Sequence, residues 1–511
     1  MSCDNPAATE KDDIMLRRPK FDKSKNCVKC KDHRGNVVIR HAVFCKACFF
    51  PFVTAKFKRA LDPFINEKAD ISRRKVLRAS GNLLLGFSGG VGSTILLDVI
   101  SQHYISPATE TVSGNPKGGK DHPRNDQVWK KVYVCYVETC NAFPENARDG
   151  TEDIRKVVQQ YENVEFIPLH IENAFDNGWW LGHGGSAEFS DIALDMSDEG
   201  LSLASESRVR SLSPSEALRL YLSHLPTQTA IATTIQAFIR RLLLQTAYTT
   251  QSSHVLLGTS LTSLAIAHIS SIAQGGGFAV KEEAQEEWNP TSTTIPEARE
   301  GRSIKVIRPL RDVGMKECGA WVWWRGLRVV GSKGYPGTKQ EISALTRDFI
   351  VGLEADYPST VSTIARTCAK VEPKEKSEMV CVMCERPAQR DIEGWKSRIS
   401  IRDYPDLPDP SRVKELRPSS CIPEQALDIR PETLTGHLCY LCHTTLVSKS
   451  SRGVPFISGA SERTDGLVAL PVWVNARLQA HPGDDPTTAI AVKMDQKDMI
   501  TALKGFLLTD E

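Results

Sequence analysis

The chain has 511 residues, 41% hydrophobic and 25% charged, long enough for two or more domains with ordinary buried cores. A net charge of +2 says nothing by itself, and no apolar run reaches the length of a membrane span. The polar, acid-bearing start Met1-Ser2-Cys3-Asp4-Asn5 reads as neither a secretory signal nor a basic transit peptide, so an intracellular, soluble chain is expected.

In chain order, residues 1–24 read as a disordered tail. Residues 25–50 follow as a zinc ribbon built on Cys27, Cys30, Cys45 and Cys48, with His33 and His41 as spare ligands. Each Cys-x-x-Cys places two thiolates at adjacent corners of a tetrahedron, and two such pairs close the sphere around Zn²⁺ with no open position, so the metal would be structural. Residues 51–80 form a basic connector. Residues 15–80 as a whole hold 18 Lys and Arg against 5 Asp and Glu. That excess suits a phosphate-rich partner or, on charge alone, a solvated face. Lys56, Lys58, Arg59, Arg73, Arg74 and Lys75 are the candidate nucleic-acid contacts here. Phe44, Phe49, Phe50, Phe52 and Phe57 interleave with them, as base-stacking groups or as a small core.

An α/β pattern begins at Asn82. The apolar run Leu83-Leu84-Leu85 ends in Gly86-Phe87-Ser88-Gly89-Gly90-Val91-Gly92-Ser93-Thr94 and runs on into Ile95–Ile100, which predicts strand, tight loop, helix. Such a loop aims backbone N–H groups and a helix N-terminus at one spot, which suits a phosphate. It is neither a Walker A loop nor G-x-G-x-x-G. Further strands are expected at Lys131–Val137, Val164–Leu169, His254–Gly258 and Ser303–Ile307, and helices at Asp153–Tyr161, Thr233–Thr249 and Leu261–Ala273. The alternation predicts a parallel sheet with helices on both faces, spanning residues 81–335. Stretches near 107–126, 182–213 and 275–302 read as surface inserts. Helices are expected at Met315–Trp324, Thr338–Glu354 and Ser359–Lys370. Residues 336–450 form a helical segment with a second cysteine module of Cys381, Cys384, Cys439 and Cys442, and 451–511 form a C-terminal extension. Residues 385–438 must then loop out and return; Cys421, His437 and His443 are competing ligands.

The loop at Ser88-Gly89-Gly90-Val91-Gly92-Ser93 resembles the PP-loop of the ATP pyrophosphatase superfamily, Ser-Gly-Gly-x-Asp-Ser, with Gly92 at the position of the acid. An N-terminal ribbon, a PP-loop domain and a second Cys-x-x-Cys pair together resemble the tRNA sulfurtransferase group that forms 2-thiouridine. Within that group the chain is most similar to the eukaryotic cytoplasmic tRNA 2-thiolation protein 2 family, over about residues 25–445. Catalytic relatives carry Cys-x-x-Cys-Gly-x-x-Arg-Arg on the central helix. Here Arg240-Arg241 stand at the arginines, but Thr233 and Gln236 stand at the cysteines, and neither can form a persulfide or hold an iron–sulfur cluster. The relatives' Gly-His-Asn-x-x-Asp-Asp reads Gly258-Thr259-Ser260-Leu261-Thr262-Ser263, with no acid.

The resemblance implies a PP-loop (adenine nucleotide alpha hydrolase-like) sheet flanked by two zinc-ribbon-like modules, with no catalytic residue in this chain. It implies a cytoplasmic, non-catalytic subunit of a heterodimer that makes 2-thiouridine at U34, as mcm5s2U in tRNAs for Lys, Glu and Gln. The partner would be the catalytic cytoplasmic tRNA 2-thiolation protein 1, with sulfur from a ubiquitin-related modifier thiocarboxylate and no membrane involved. With carboxylates missing, Mg²⁺ would bind through ATP alone, so weak or no ATP turnover is expected. Ser88, Gly89, Gly90, Gly92 and Ser93 either still take a phosphate or only keep the turn tight. Arg240 or Arg241 either reaches a tRNA phosphate or is solvated. Two other readings stay open. One is a self-sufficient thiolase with Cys135 and Cys140 as substitutes; the other is a zinc-dependent scaffold with no link to thiolation.

Overall fold

The computed structural model describes residues 25–65, 77–105, 128–143, 148–185, 192–206, 211–290, 303–331, 341–373, 379–389, 433–448 and 466–479, with Ile392 and Lys396. The expected tail at 1–24, the insert at 107–126, Cys421 and the basic residues Arg73, Arg74 and Lys75 lie outside them. In chain order the strands are β1 (Val37–Ile39), β2 (Ala42–Phe44), β3 (Asn82–Gly86), β4 (Val132–Glu138), β5 (Glu165–His170), β6 (Ile192–Asp195), β7 (Leu203–Ser205), β8 (Ser252–Leu257), β9 (Gln285–Trp288), β10 (Ile304–Ile307) and β11 (Leu467–Ala469). The helices are α1 (Lys46–Ile65), α2 (Val91–Ile100), α3 (Thr151–Val158), α4 (Asn177–Gly182), α5 (Pro214–His224), α6 (Gln228–Thr249), α7 (Leu261–Ala273), α8 (Met315–Arg325), α9 (Ile342–Asp356), α10 (Pro358–Cys368), α11 (Tyr440–Val447) and α12 (Val472–Gln479).

The main sheet runs β5-β4-β3-β8-β10-β9, parallel throughout except for the antiparallel edge strand β9. Its core strands are continuous apolar runs because both faces are covered. Leu83 and Leu85 pack on one side with α1, α2 and α8, while Leu84 packs on the other with α5 and α6. From β3 the chain steps outward to β4 and β5, then returns to β8 on the other side of β3. The strand order therefore reverses between β3 and β8, the place where open α/β sheets form a ligand crevice beyond the strand C-termini. The glycine loop leaves β3 at that point.

Local signals placed most elements within a few residues. Ser213 caps α5 in a reciprocal box with Glu216, followed by Pro214 at the first helical position. Thr227 caps α6 and Ser260 caps α7. Two expectations need correction. The 182–213 insert carries β6 and β7, which form a second, antiparallel sheet with β11 from the C-terminal extension. The 275–302 insert carries a 3₁₀ turn over Gly276–Glu283 and the edge strand β9, with Trp288 and Glu286 buried. The 451–511 extension contributes α12, whose Trp473 is buried in the same core as Phe238 and Trp180. Each of these pieces is short and finds its partner far along the chain, so periodicity over a window does not reveal it. Beyond residue 335, α9 and α10 pack directly on α7.

Candidate functional site

Both cysteine sets assemble. Within each, the four Sγ atoms lie within 4.8 Å of one another. Cys30 Sγ and Cys45 Sγ are 3.8 Å apart, as are Cys384 Sγ and Cys439 Sγ. A tetrahedral site with Zn–S near 2.3 Å needs sulfurs about 3.8 Å apart, so both donor sets fit the ion. The two sites share one construction. The first pair sits on a turn closed by a backbone hydrogen bond, Lys31 N–H to Cys27 O or Glu385 N–H to Cys381 O, each 2.8 Å. The residue after the second cysteine is left-handed in both, Lys31 at φ 63° and Glu385 at φ 53°. An isolated β-bridge flanks each turn, Asn26 with Arg34 and Val380 with Pro387. The second pair lies at a helix start, α1 or α11. His33 Nδ1 is 3.6 Å from Cys30 Sγ, beside the sulfur cluster rather than part of it.

The modules differ in their anchors. The N-terminal one continues into α1, whose buried Phe49 meets Trp321 and Trp324 of α8. The second is gripped through its own carbonyls. Arg240 donates to Cys384 O (2.7 Å), Trp473 Nε1 to Met383 O (3.0 Å) and Arg477 to Cys381 O (3.4 Å). Arg241 pairs with Glu385 at 3.0 Å, lies over the rings of Trp180, Trp288 and Trp473, and is fully buried. Burial pushes Arg241 down to about 10 despite Glu385. Arg240 pairs with Glu286, as does Arg386. Burial alone would raise Glu286, but Arg240 and Arg386 outweigh it and hold the carboxyl at about 2. The expectation that Arg240 or Arg241 faces an RNA phosphate is therefore corrected: both guanidinium groups turn inward to buried carboxylates and hold the second metal module. Lys56 is likewise committed, to Glu317 at 2.8 Å and over the Phe52 ring. Lys58 is half-buried and Arg59 exposed.

At the strand C-termini the glycine loop lines a cleft of about 700 Å³ together with Cys135–Thr139, Arg148–Gly150, Gln236 and Thr259. Gly90 caps α2, Ser93 Oγ donates to Gly90 O at 3.0 Å, and Ser88 Oγ lies 3.3 Å from Ser93 Oγ. Gly89 is left-handed at φ 74°. Gly92 is held by a close approach instead. A Cβ built there overlaps the carbonyl oxygen of Gly258, and one built on Gly258 comes within 2.6 Å of Ser93 Cα. The two loops of the resemblance cross backbone on backbone, so the acid missing at position 92 has no room to exist in this arrangement. Asp98 does not replace it: its carboxylate accepts from Trp321 Nε1 (2.8 Å) and Gln102 Nε2 (2.6 Å) on the far side of α2.

Sequence reasoning missed the acids that do line the cleft, Glu138, Asp149 and Asp153. Each is occupied. Glu138 accepts from the backbone N–H groups of Thr139, Cys140 and Gly150 at 2.7–2.9 Å, Asp149 from Thr151 N–H at 2.7 Å, and Asp153 pairs with Arg148 and Arg328. Their only signal was position, at the end of β4 and around the start of α3, on the crevice rim. Thr233, at a cysteine position of the resemblance, donates to Gln274 Oε1 at 2.7 Å. Cys135 is fully buried and desolvation pushes its thiol up. Burial and then the Glu138 carboxylate push Cys140 up to about 11. Neither presents the thiolate that sulfur transfer needs.

The molecule is thus an α/β protein whose crevice keeps a glycine loop resembling the PP-loop and lacks the acid and thiols of that pattern, with a four-cysteine cluster able to hold a metal ion on each side. The family model described as cytoplasmic tRNA 2-thiolation protein 2 matches residues 341–444, which hold α9, α10, the second metal module and most of α11. Proteins of that name are 23% identical in Danio rerio (71% of this chain, 72% of that one) and 24% in Xenopus tropicalis (72% and 73%). One from Coccidioides immitis is 22% identical, over 72% and 89%. By these matches the chain is similar to the cytoplasmic tRNA 2-thiolation protein 2 family. Among solved structures it is similar to the U34-tRNA thiolase NcsA from Methanococcus maripaludis with its 4Fe-4S cluster, at 15% identity and TM-score 0.43, over 74% of this chain and 97% of that one.

Proposed function

We propose that this chain acts in cytoplasmic tRNA 2-thiolation as a non-catalytic subunit. It partners the catalytic cytoplasmic tRNA 2-thiolation protein 1 in making 2-thiouridine at the wobble position, U34, of tRNAs for Lys, Glu and Gln. Sulfur comes from the thiocarboxylate of a ubiquitin-related modifier, and the partner supplies the acids and thiols. The observation that carries this reading is the crossing of Gly92 and Gly258, which leaves no place for the loop's carboxylate. A site built this way cannot position metal-bridged phosphates for adenylation. Thr233 and Gln236 support it, since neither side chain can carry a sulfane sulfur.

Structural Zn²⁺ in the two four-cysteine modules would be held by Cys27, Cys30, Cys45 and Cys48 and by Cys381, Cys384, Cys439 and Cys442. It would hold each turn against its helix and take no part in the reaction. Lys58 and Arg59, on the outer side of α1, are the described candidates for contact with tRNA phosphates. Thiolation of tRNA by the purified chain, alone and with its partner, with ATP and sulfur donor supplied, tests the reading. Product only in the presence of the partner supports it; product from the isolated chain overturns it.

A further inference from the structure

Helix α9 is apolar on every side. At about 100° per residue, Thr346, Ile350 and Leu353 share one face, and Ile350 and Leu353 pack with Leu261, Leu264 and Ala265 of α7. The opposite face carries Leu345, Asp348, Gly352 and Ala355, three or four residues apart, with Phe349 and Val351 as ridges along its two edges. That face lies in the open. Leu345 is 63% exposed, Phe349 62% and Val351 53%. With Tyr357 at the helix end they make up four of the eleven exposed large apolar side chains among the described residues. A helix that is apolar all round belongs in an interior, and a concentration of this kind on a folded chain marks a surface that another molecule covers.

Gly352 adds a second observation. It stands in the helix interior, where glycine costs about 1 kcal/mol against alanine. A Cβ built there meets nothing within 4 Å, so no contact among the described residues requires its absence. Between the Phe349 and Val351 ridges the bare Cα leaves a notch that lets a second helix approach closely, ridge into groove. Charge decides what kind of molecule fits. Asp348 lies on the stripe and Asp356 at its end, both exposed, while the only cation of the helix, Arg347, stands outside the Val351 edge. Two carboxylates repel a phosphate chain, which sets nucleic acid aside. A second copy docked stripe to stripe would bring two Asp348 carboxylates into one apolar contact with no cation between them.

We propose that the outward face of α9 docks an amphipathic helix of a partner protein. The partner helix presents apolar side chains to Leu345, Phe349 and Val351, seats one of them in the notch at Gly352, and offers lysine or arginine to Asp348 and Asp356. The surface stands on these residues alone; that the partner is the catalytic subunit rests on the function proposed above.

Titration of the full-length chain with the purified catalytic subunit tests the assignment. A labelled helical peptide of leucine and lysine, about 18 residues or five turns long, probes the surface by itself. Phe349→Glu removes a ridge, Gly352→Leu fills the notch with a better helix former, and Asp348→Lys reverses the charge. All three positions are exposed, so circular dichroism and Tm should match the unaltered chain. Each variant is expected to weaken binding of the subunit and of the peptide about tenfold or more, about 1.4 kcal/mol per tenfold. Subunit binding that all three variants leave unchanged overturns the proposal and spares the proposed function. If the unaltered chain fails to bind the subunit, the proposed function falls and the peptide decides the surface: loss in the variants supports it, indifference overturns it. Self-association of the chain abolished by Phe349→Glu would assign the face to a second copy and overturn the proposal. So would tRNA affinity lowered by that variant with subunit binding intact, which would assign it to RNA.

Discussion

Gly92 and Gly258 meet backbone to backbone, and that contact decides what the crevice can be persuaded to do. Gly92→Asp, which writes the acid of the catalytic pattern back into the loop, is expected to cost about 2–3 kcal/mol or more by overpacking and to add no ATP turnover. Denaturant unfolding alongside a phosphate-release assay checks both. An active, equally stable variant would show that the crossing opens readily. Glu286 gives a pH prediction. Its folded carboxyl sits at about 2, below an ordinary value of 4.5. Its contribution is therefore complete above about pH 4.5 and is lost as pH falls from there toward 2. Glu286→Gln should flatten that part of a urea-midpoint profile and leave the slope near neutrality unchanged. The glycines of the loop could be read directly from sequence. That Arg240 and Arg241 turn inward could not, because their carboxylates arrive from β9 and from the residue after Cys384, 46 and 144 positions away.

Helix α1 carries two duties. Phe49, Phe57, Leu61 and Ile65 seal one face of the sheet, and the phenylalanines that interleave with basic residues belong in good part to that core. The basic side chains it leaves outward are Lys46, Lys58 and Arg59, of which the last two lie beyond the metal turn. Lys58→Ala and Arg59→Ala should each weaken tRNA binding whatever the tRNA and lower the salt slope by about 1, with little change in Tm. Arg241→Leu should do the reverse, lowering Tm while leaving the salt slope alone. Filter binding across a salt series separates the two behaviours, and a reduced slope in Arg241→Leu would refute the structural role. The metal modules give a matched comparison. Cys30→Ser and Cys384→Ser should each leave one metal ion per chain by elemental analysis. The second should cost more stability, since three carbonyls of its turn hold Arg240, Trp473 and Arg477. Equal Tm losses would mean that the grip of α6 and α12 adds little. Cysteine spacing made both modules legible at once; their identical turns and different anchors needed coordinates.

The described residues wrap a mostly parallel sheet with one four-cysteine module on each face. The sheet itself followed from apolar runs alternating with helical stretches, and the strands at its centre needed no correction. What escaped were the pieces that join distant segments: β6 and β7 with β11, β9 on β10, and α12 against α4 and α6. These are short, and their stability comes from burial rather than from local preference. The last of them sets an order of events during synthesis. The N-terminal knuckle has all four thiols within 22 residues and can close as soon as they emerge from the ribosome. The second must wait for residue 442, and Arg241 and Glu385 wait still longer, for Trp473 and Arg477. Through that interval a charged, aromatic-lined gap stays open on the nascent chain, and it is then that the chain is most prone to misassembly.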